Sequence, residues 1–348
     1  MENSKIILGT YPYTYARICA MKGLLIKKED YDRLLKMKVN EIAKFLQETQ
    51  YKKEIDEAVI SIEGIDKLEL ALNKNLANDM LKVKRISTGN LRLLVDFYLK
   101  RNDIFNLNTI FRGKFTGYDK RKIEEMLIPA GDLNMQYLKN LINKLSVEDI
   151  AKSIPFIDLR EGLRYYREHN SLFEIENELN RYYYNEMLQF SERIASQGRL
   201  FKEFLKHEID ILNITTILRL KKEGVKKQEI EKFIFYCGHH LNKQTLNRMV
   251  QLDDPKEIIK VIKAHGYKKA IELTKDENSL IHIELALNHY LLDKAMLLSH
   301  QNPLSIDVLL GYMFAKQIEV RNLKILIKGK QLNIAQGMIE KELIVRRR

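Results

Sequence analysis

Apolar residues along this chain recur with helical rather than strand spacing. In DIFNLNTIFR, residues 103–112, Ile104, Leu107, Ile110 and Phe111 fall on one face of a helix. The same ten positions return at 210–219 as DILNITTILR, with Ile211, Ile214, Ile217 and Leu218 on the equivalent face. Six of the ten residues are identical, so the chain writes one helical segment twice. Long stretches rich in Leu, Lys, Glu, Ile and Asn favour helices, and only five prolines interrupt them, at 12, 129, 155, 255 and 303. Alternating apolar and polar runs flanked by turn dipeptides are scarce. The pattern predicts an all-α protein.

A repeat this long has to be followed before any motif is interpreted. Upstream, ELALN at 69–73 returns at 284–288 and more weakly as Glu178-Leu179-Asn180. The step from that Asn to the next repeat Asn is 33 residues from Asn73 to Asn106 and from Asn180 to Asn213, and 34 from Asn288 to Asn322. A third, looser copy of the opening segment therefore runs from Glu319 through Asn322 to Lys328. Downstream, IEEML at 123 matches IEKFI at 230 and IEKEL at 339. A glycine follows the repeat Asn by 25 residues, as Gly131 and Gly238, and an acid-Ile-x-Lys element follows at Ile150 and Ile258. The third copy should continue past residue 348, and its second half is found at the other end. Gly23 precedes Ile42, in Glu41-Ile42-Ala43-Lys44, by nineteen residues, and YKKEI at 51 echoes YKKAI at 267. The expected organisation is helical unit 1 at 66–165, unit 2 at 173–275, and unit 3 built from 281–348 plus 1–58. A last unit completed by the chain's own beginning implies a closed ring, whereas an open solenoid would need polar caps at both ends.

Three polar positions recur with the repeat. Asp103, Asp210 and Glu319 fall inside the apolar stripe, and Asn106, Asn213 and Asn322 sit at its edge. Leaving such a group buried and unpaired costs ~1–3 kcal/mol, so these six are expected to be structural ties to neighbouring helices. Polar groups gripping something in a central opening are the competing interpretation. Arg112, Arg219 and Lys328 lie largely opposite the stripe and are candidate partner contacts.

Composition narrows the function classes. A chain of 348 residues with 45% apolar and 30% charged content can bury a substantial core as a soluble globular protein. Its net charge of +12 suits an acidic partner, an anionic surface or nucleic acid. The cations are mixed with 47 acids, and the clusters are short: Lys120-Arg121-Lys122, four within 221–227, and Arg346-Arg347-Arg348. Solvated faces account for them. Two cysteines, Cys19 and Cys237, make no disulfide framework, which points to a reducing compartment. No signal peptide is expected from the uncharged run 6–16, which contains Gly9, Pro12 and three tyrosines. No membrane span is expected either, because the best apolar window, 295–315, is broken by His300, Pro303 and Asp307.

The chain has no GxxxxGK[ST], GxGxxG, HExxH or EF-hand spacing. Cys237-Gly238-His239-His240 has the look of a metal corner, but Gly238 is the repeat glycine, expected at a helix end, and no second cysteine pair exists. No catalytic residue, cofactor or metal is assigned. Tyr11, Tyr13 and Tyr15, and Tyr182-Tyr183-Tyr184, could stack on single strands beside basic residues, though helix packing is the plainer use. The alternative function class is thus an α-helical repeat scaffold binding nucleic acid, whose mark is an affinity falling by orders of magnitude with salt.

The order of motifs resembles a known family, the C subunits of archaeal-type (A-type, also called V-type) ATP synthases, which are related to the d subunit of the vacuolar proton pump. The resemblance covers the whole length. It is carried by Tyr13-Thr14-Tyr15-Ala16-Arg17 with Leu24-Leu25, by Tyr31, by Phe45-Leu46-Gln47-Glu48-Thr49-Gln50-Tyr51, and by the triplicated acid-x-x-Asn segments. Family members often read Ala-Arg-Val-Arg near the start; here Arg17 is followed by Ile18-Cys19, so that second arginine has no counterpart. The resemblance implies a non-catalytic, funnel-shaped, pseudo-threefold helical component of the central stalk, one copy per complex. It implies the D and F axle subunits in the cavity and the cytoplasmic loops of the proteolipid c-ring on the other face. It also implies a peripheral position on the cytoplasmic face of the cell membrane and no nucleic-acid partner.

Overall fold

The computed structural model describes residue 6 and residues 9–60, 66–194, 199–274, 276–277, 279–301 and 306–345. The Arg346-Arg347-Arg348 cluster lies outside the described residues. The chain begins with α1 (Pro12–Gly23), α2 (Lys28–Leu34), α3 (Val39–Gln47) and α4 (Lys52–Ile60). Two long helices follow, α5 (Asp66–Ile86) and α6 (Gly89–Phe115), then four short ones, α7 (Lys120–Met126), α8 (Met135–Ile142), α9 (Val147–Lys152) and α10 (Arg160–His169). The long–long–short order recurs in α11 (Phe173–Arg193), α12 (Arg199–Lys222), α13 (Lys227–Lys232), α14 (Lys243–Gln251), α15 (Pro255–Ile262) and α16 (Lys268–Glu272). The chain closes with α17 (Leu280–Gln301), α18 (Ile306–Gln331) and α19 (Gln336–Glu342). Among the described residues there is no β-strand, and the isolated bridge of Ile6 with Ile194 extends into none. The all-α expectation holds.

Local chemistry sets the helix starts. Asp119, Asn134, Ser146 and Asn242 each accept the backbone N–H three residues on, capping α7, α8, α9 and α14. Pro12 and Pro255 stand in the first turns of α1 and α15, where the missing N–H costs nothing, and Pro129 and Pro155 lie in loops.

The long helices pack in chain order: α5 on α6, α6 on α11, α11 on α12, α12 on α17, α17 on α18, and α18 on α5. The N-terminal helices α1 and α3 also lie against α18. The repeat stripe is core: Leu107, Ile110, Phe111, Ile214, Ile217, Leu323, Leu326 and Ile327 are fully buried.

One local expectation is corrected. Gly238 is not a helix end; it lies in the loop after α13, and Gly131 lies in the loop after α7. A β-carbon at Gly131 would run into the Asp103 carboxylate, and one at Gly238 into Asp210. The glycine is there to let an acid approach the backbone, and no helix needs stopping.

Candidate functional site

The repeated Asn forms the same clasp three times. Asn106 donates to Ile128 O at 2.9 Å and accepts from Ile128 N at 2.7 Å. Asn213 does this with Phe235 at 2.7 and 2.9 Å, and Asn322 with Ile344 at 2.7 and 2.9 Å. All three amides are buried, so each satisfies itself and one backbone residue just past a short helix.

The repeated acid accepts backbone N–H groups from the loop beside it. Asp103 takes Asp132 N at 2.8 Å and Leu133 N at 3.0 Å. Asp210 takes His239 N at 3.1 Å, His240 N at 2.7 Å and Leu241 N at 3.3 Å, plus the Tyr267 hydroxyl at 2.8 Å. Glu319 draws its partners from the opposite end of the chain: Ile26 N, Gln50 Nε2 at 3.0 Å and the Tyr51 hydroxyl at 2.6 Å. The buried Lys316 completes this node, with Nζ 3.1 Å from Glu319 and 3.3 Å from Asp79. Lysines at one further repeat position bond short-helix carbonyls: Lys114 to Ile142 O, Lys221 to Val250 O, and Lys330 to Leu35 O.

Burial pushes Asp103 up to about 6, against the opposing pull of the Asp132 and Leu133 N–H groups. A carboxyl held above its unfolded value of 3.8 contributes stability that is complete below that value and is lost as pH rises through about 6. An amide has no such dependence. Between pH 4 and 7 the wild type should therefore lose ~2 kcal/mol relative to Asp103→Asn. Urea unfolding of both proteins across that range measures it, and a constant difference would show that Asp103 ionises as in the free chain.

The repeated cation pairs with a carboxylate on the next long helix. Arg112 makes two bonds to Glu176, at 2.6 and 2.7 Å. Arg219 meets Glu284 at 2.8 Å, and Lys328 lies 4.0 Å from Glu69. Those acids share one repeat position, four residues before Asn180, Asn288 and Asn73. The three cations remain 53–65% exposed, so a second interaction on each is sterically open.

A further contact was missed by sequence reasoning. Arg101 Nη2 meets Glu208 at 3.0 and 2.8 Å, and its Nη1 lies 3.4 Å from Gln317 Oε1. Residues 101, 208 and 317 stand two before the repeat acids 103, 210 and 319, so one repeat position on α6, α12 and α18 meets itself. Tyr98 and Tyr183 enclose the guanidinium, with Arg101 Nη1 2.6 Å from Tyr98 Oη and Nε 3.2 Å from Tyr183 Oη. An Arg, a Glu and a Gln at one repeat position were the available signal. Tyr183 is thereby a buried packing residue, as the plainer interpretation of the tyrosine run expected.

One turn toward the C-terminal ends of α6, α12 and α18, Phe105 is exposed and Leu212 and Arg321 are half-buried, and farther along Arg112, Arg219 and Lys328 are exposed on all three. No helix among the described residues is long and apolar enough to cross a membrane.

The chain matches the ATP synthase (C/AC39) subunit family over residues 14–342. It is 35% identical over 340 residues to a protein of Methanococcoides burtonii named as the C subunit of A-type ATP synthase, covering 97% of this chain and 95% of that one. Proteins of the same name from Methanosarcina acetivorans and Archaeoglobus fulgidus are 36% and 32% identical, each across 97% of this chain and 94% and 97% of theirs. A chain that is helical without strands among its described residues, and whose likeness to these proteins runs almost from end to end, belongs to the ATP synthase (C/AC39) subunit family.

Proposed function

We propose that this protein is a non-catalytic central-stalk component of an A-type ATP synthase, a socket that couples the D–F rotor axle to the membrane c-ring. Ion movement through the ring would then drive ATP synthesis, or hydrolysis would drive ion movement. The observation that carries this is the family match along 14–342, with relatives named as the C subunit of A-type ATP synthase. The geometry supports it. A torque coupling has to resist splaying, and the ion pairs 112–176, 219–284 and 328–69 follow one another from long helix to long helix and back to the first. Units 66–165, 173–275 and 281–348 plus 1–58 then form a closed pseudo-threefold funnel, pinched where Arg101, Glu208 and Gln317 meet. The wide end, rimmed by Arg112, Arg219 and Lys328, receives the axle; the protein sits peripherally on the cytoplasmic face of the membrane, one copy per complex.

Purified full-length chain is expected to capture a D–F complex at low salt and to release part of it as salt rises, because exposed charge contacts are screened. Absence of capture at low salt rejects the socket. Reversing Arg112, Arg219 and Lys328 to Glu together should keep the helical content, since exposed pairs are worth ~0–1 kcal/mol each, while weakening axle capture. Unchanged capture by a folded triple variant would remove these residues from the interface and leave them as ties alone.

A further inference from the structure

The Asp210 node gathers three imidazoles. His207 lies on α12 just before Asp210, and His239 and His240 follow Gly238, with their N–H groups on the Asp210 carboxylate. Ring centroids are 4.3 Å apart for His207–His239, 5.2 Å for His207–His240 and 4.5 Å for His239–His240. One nitrogen of each ring lies within 4.8 Å of the other two. We propose that His207, His239 and His240 bind a divalent transition-metal ion, zinc by preference, with a fourth position open to solvent.

The hydrogen bonds fix the tautomer of a neutral His207 ring. Tyr267 gives its hydroxyl proton to Asp210, so the 3.1 Å contact between Tyr267 Oη and His207 Nδ1 requires Nδ1 to donate. His207 Nε2 is then unprotonated. A ring nitrogen that donates toward a carboxylate, here through a phenol, is the outer-shell arrangement that orients and strengthens a metal-bound histidine. His239 and His240 are exposed. A tetrahedral site with Zn–N near 2.0–2.1 Å needs nitrogens roughly 3.4 Å apart, so binding would draw the three rings closer together. Space for His240 is made by Gly266, whose φ of +89° suits glycine and where a β-carbon would crowd the imidazole.

The repeat shows what the ion would replace. At the position of His207, the chain has Lys100 before α6's acid, where it pairs with Glu186 instead, and Lys316 before α18's. Lys316 places a buried ammonium against Glu319, beside the Tyr51 hydroxyl that corresponds to Tyr267. Asp210 has its tyrosine and its backbone donors, but an imidazole stands where Lys316 supplies the ammonium. A metal ion on His207 restores positive charge to the node and fastens α12 to the loop after α13. Three imidazoles with no thiolate or carboxylate among them suit zinc, nickel or copper rather than magnesium or calcium.

The test uses full-length protein without a polyhistidine tag, titrated with Co2+ as the spectroscopic probe and then with Zn2+ in competition. One Co2+ per chain with the strong visible absorption of a tetrahedral site is expected, displaced by Zn2+. His239→Ala/His240→Ala changes exposed side chains only and should keep its helical content. It should lose more affinity than the roughly 10–100-fold that removal of a single outer-shell group costs. Zinc should raise the melting temperature of the wild type and leave that of the variant unchanged. Equal Co2+ affinity in the two proteins, or only the weak spectrum of six-coordinate Co2+, overturns the site.

Discussion

A chain lacking residues 1–55 is expected to aggregate and to lose protection of its C-terminal helices while 66–165 and 173–275 stay folded. The N-terminal helices α1 and α3 cover α18, whose Val320, Leu323, Leu326 and Ile327 are buried. Deletion also strips Glu319 of Ile26, Gln50 and Tyr51, leaves Lys316 without the Tyr51 ring, and removes the Leu35 carbonyl from Lys330. Returning one large aliphatic side chain to water costs ~1.5–3 kcal/mol. Even partial exposure of four of them rivals the roughly 5–15 kcal/mol by which a whole domain is stable. The exposed patch gives the truncated chain a surface on which to associate. Limited proteolysis reads the outcome directly, as early cuts in 280–345 and late cuts elsewhere. If 280–345 stays as protected as in the full-length protein, the termini do not build one unit and the closed-ring proposal fails.

Removing either partner of the Arg101–Glu208 pair is expected to cost ~3–5 kcal/mol, because the charge left behind is buried and unpaired. Arg101→Ala strands Glu208, which is pushed up by burial against the counter-pull of Arg101. Glu208→Ala strands a guanidinium whose other contacts are the phenols Tyr98 and Tyr183 and the amide of Gln317. The double variant Arg101→Met/Glu208→Leu replaces the pair with apolar groups of similar length, and should be closer to wild type than either single alanine variant. Denaturant unfolding of the wild type, Arg101→Met, Glu208→Leu and the double variant closes a cycle that gives the coupling between the two sites. Additive losses with no coupling would mean that the pair does not hold α6 to α12.

The polar ties were legible in sequence because they recur in the same place on an apolar stripe. Asp103, Asp210 and Glu319, and Asn106, Asn213 and Asn322, had to find partners once buried, and the partners of the amides lie at one fixed step, on Ile128, Phe235 and Ile344. The purpose of Gly131 and Gly238 was not legible. A glycine beside a helix reads as a stop signal, whereas these two stand in loops where an acid 28 residues upstream needs room. The cations Arg112, Arg219 and Lys328 were visible as a set, but their carboxylates were not assigned, since nothing local couples Glu176 to Arg112.

By itself the sequence determined the helical class, the recurrence of its segments and the positions that need polar partners. Those properties depend on periodicity and spacing along one chain, which helix geometry converts directly into faces. Only the tertiary structure decided which faces meet. It brought 101, 208 and 317 together, turned Ile26 and Tyr51 onto Glu319, and set His207 beside His239 and His240. Such meetings depend on how helices distant in sequence approach one another, and two helices pack at any of several angles with similar burial. What selects among them is the requirement that every buried charge and amide find its partner at once, a condition no single segment of the chain contains.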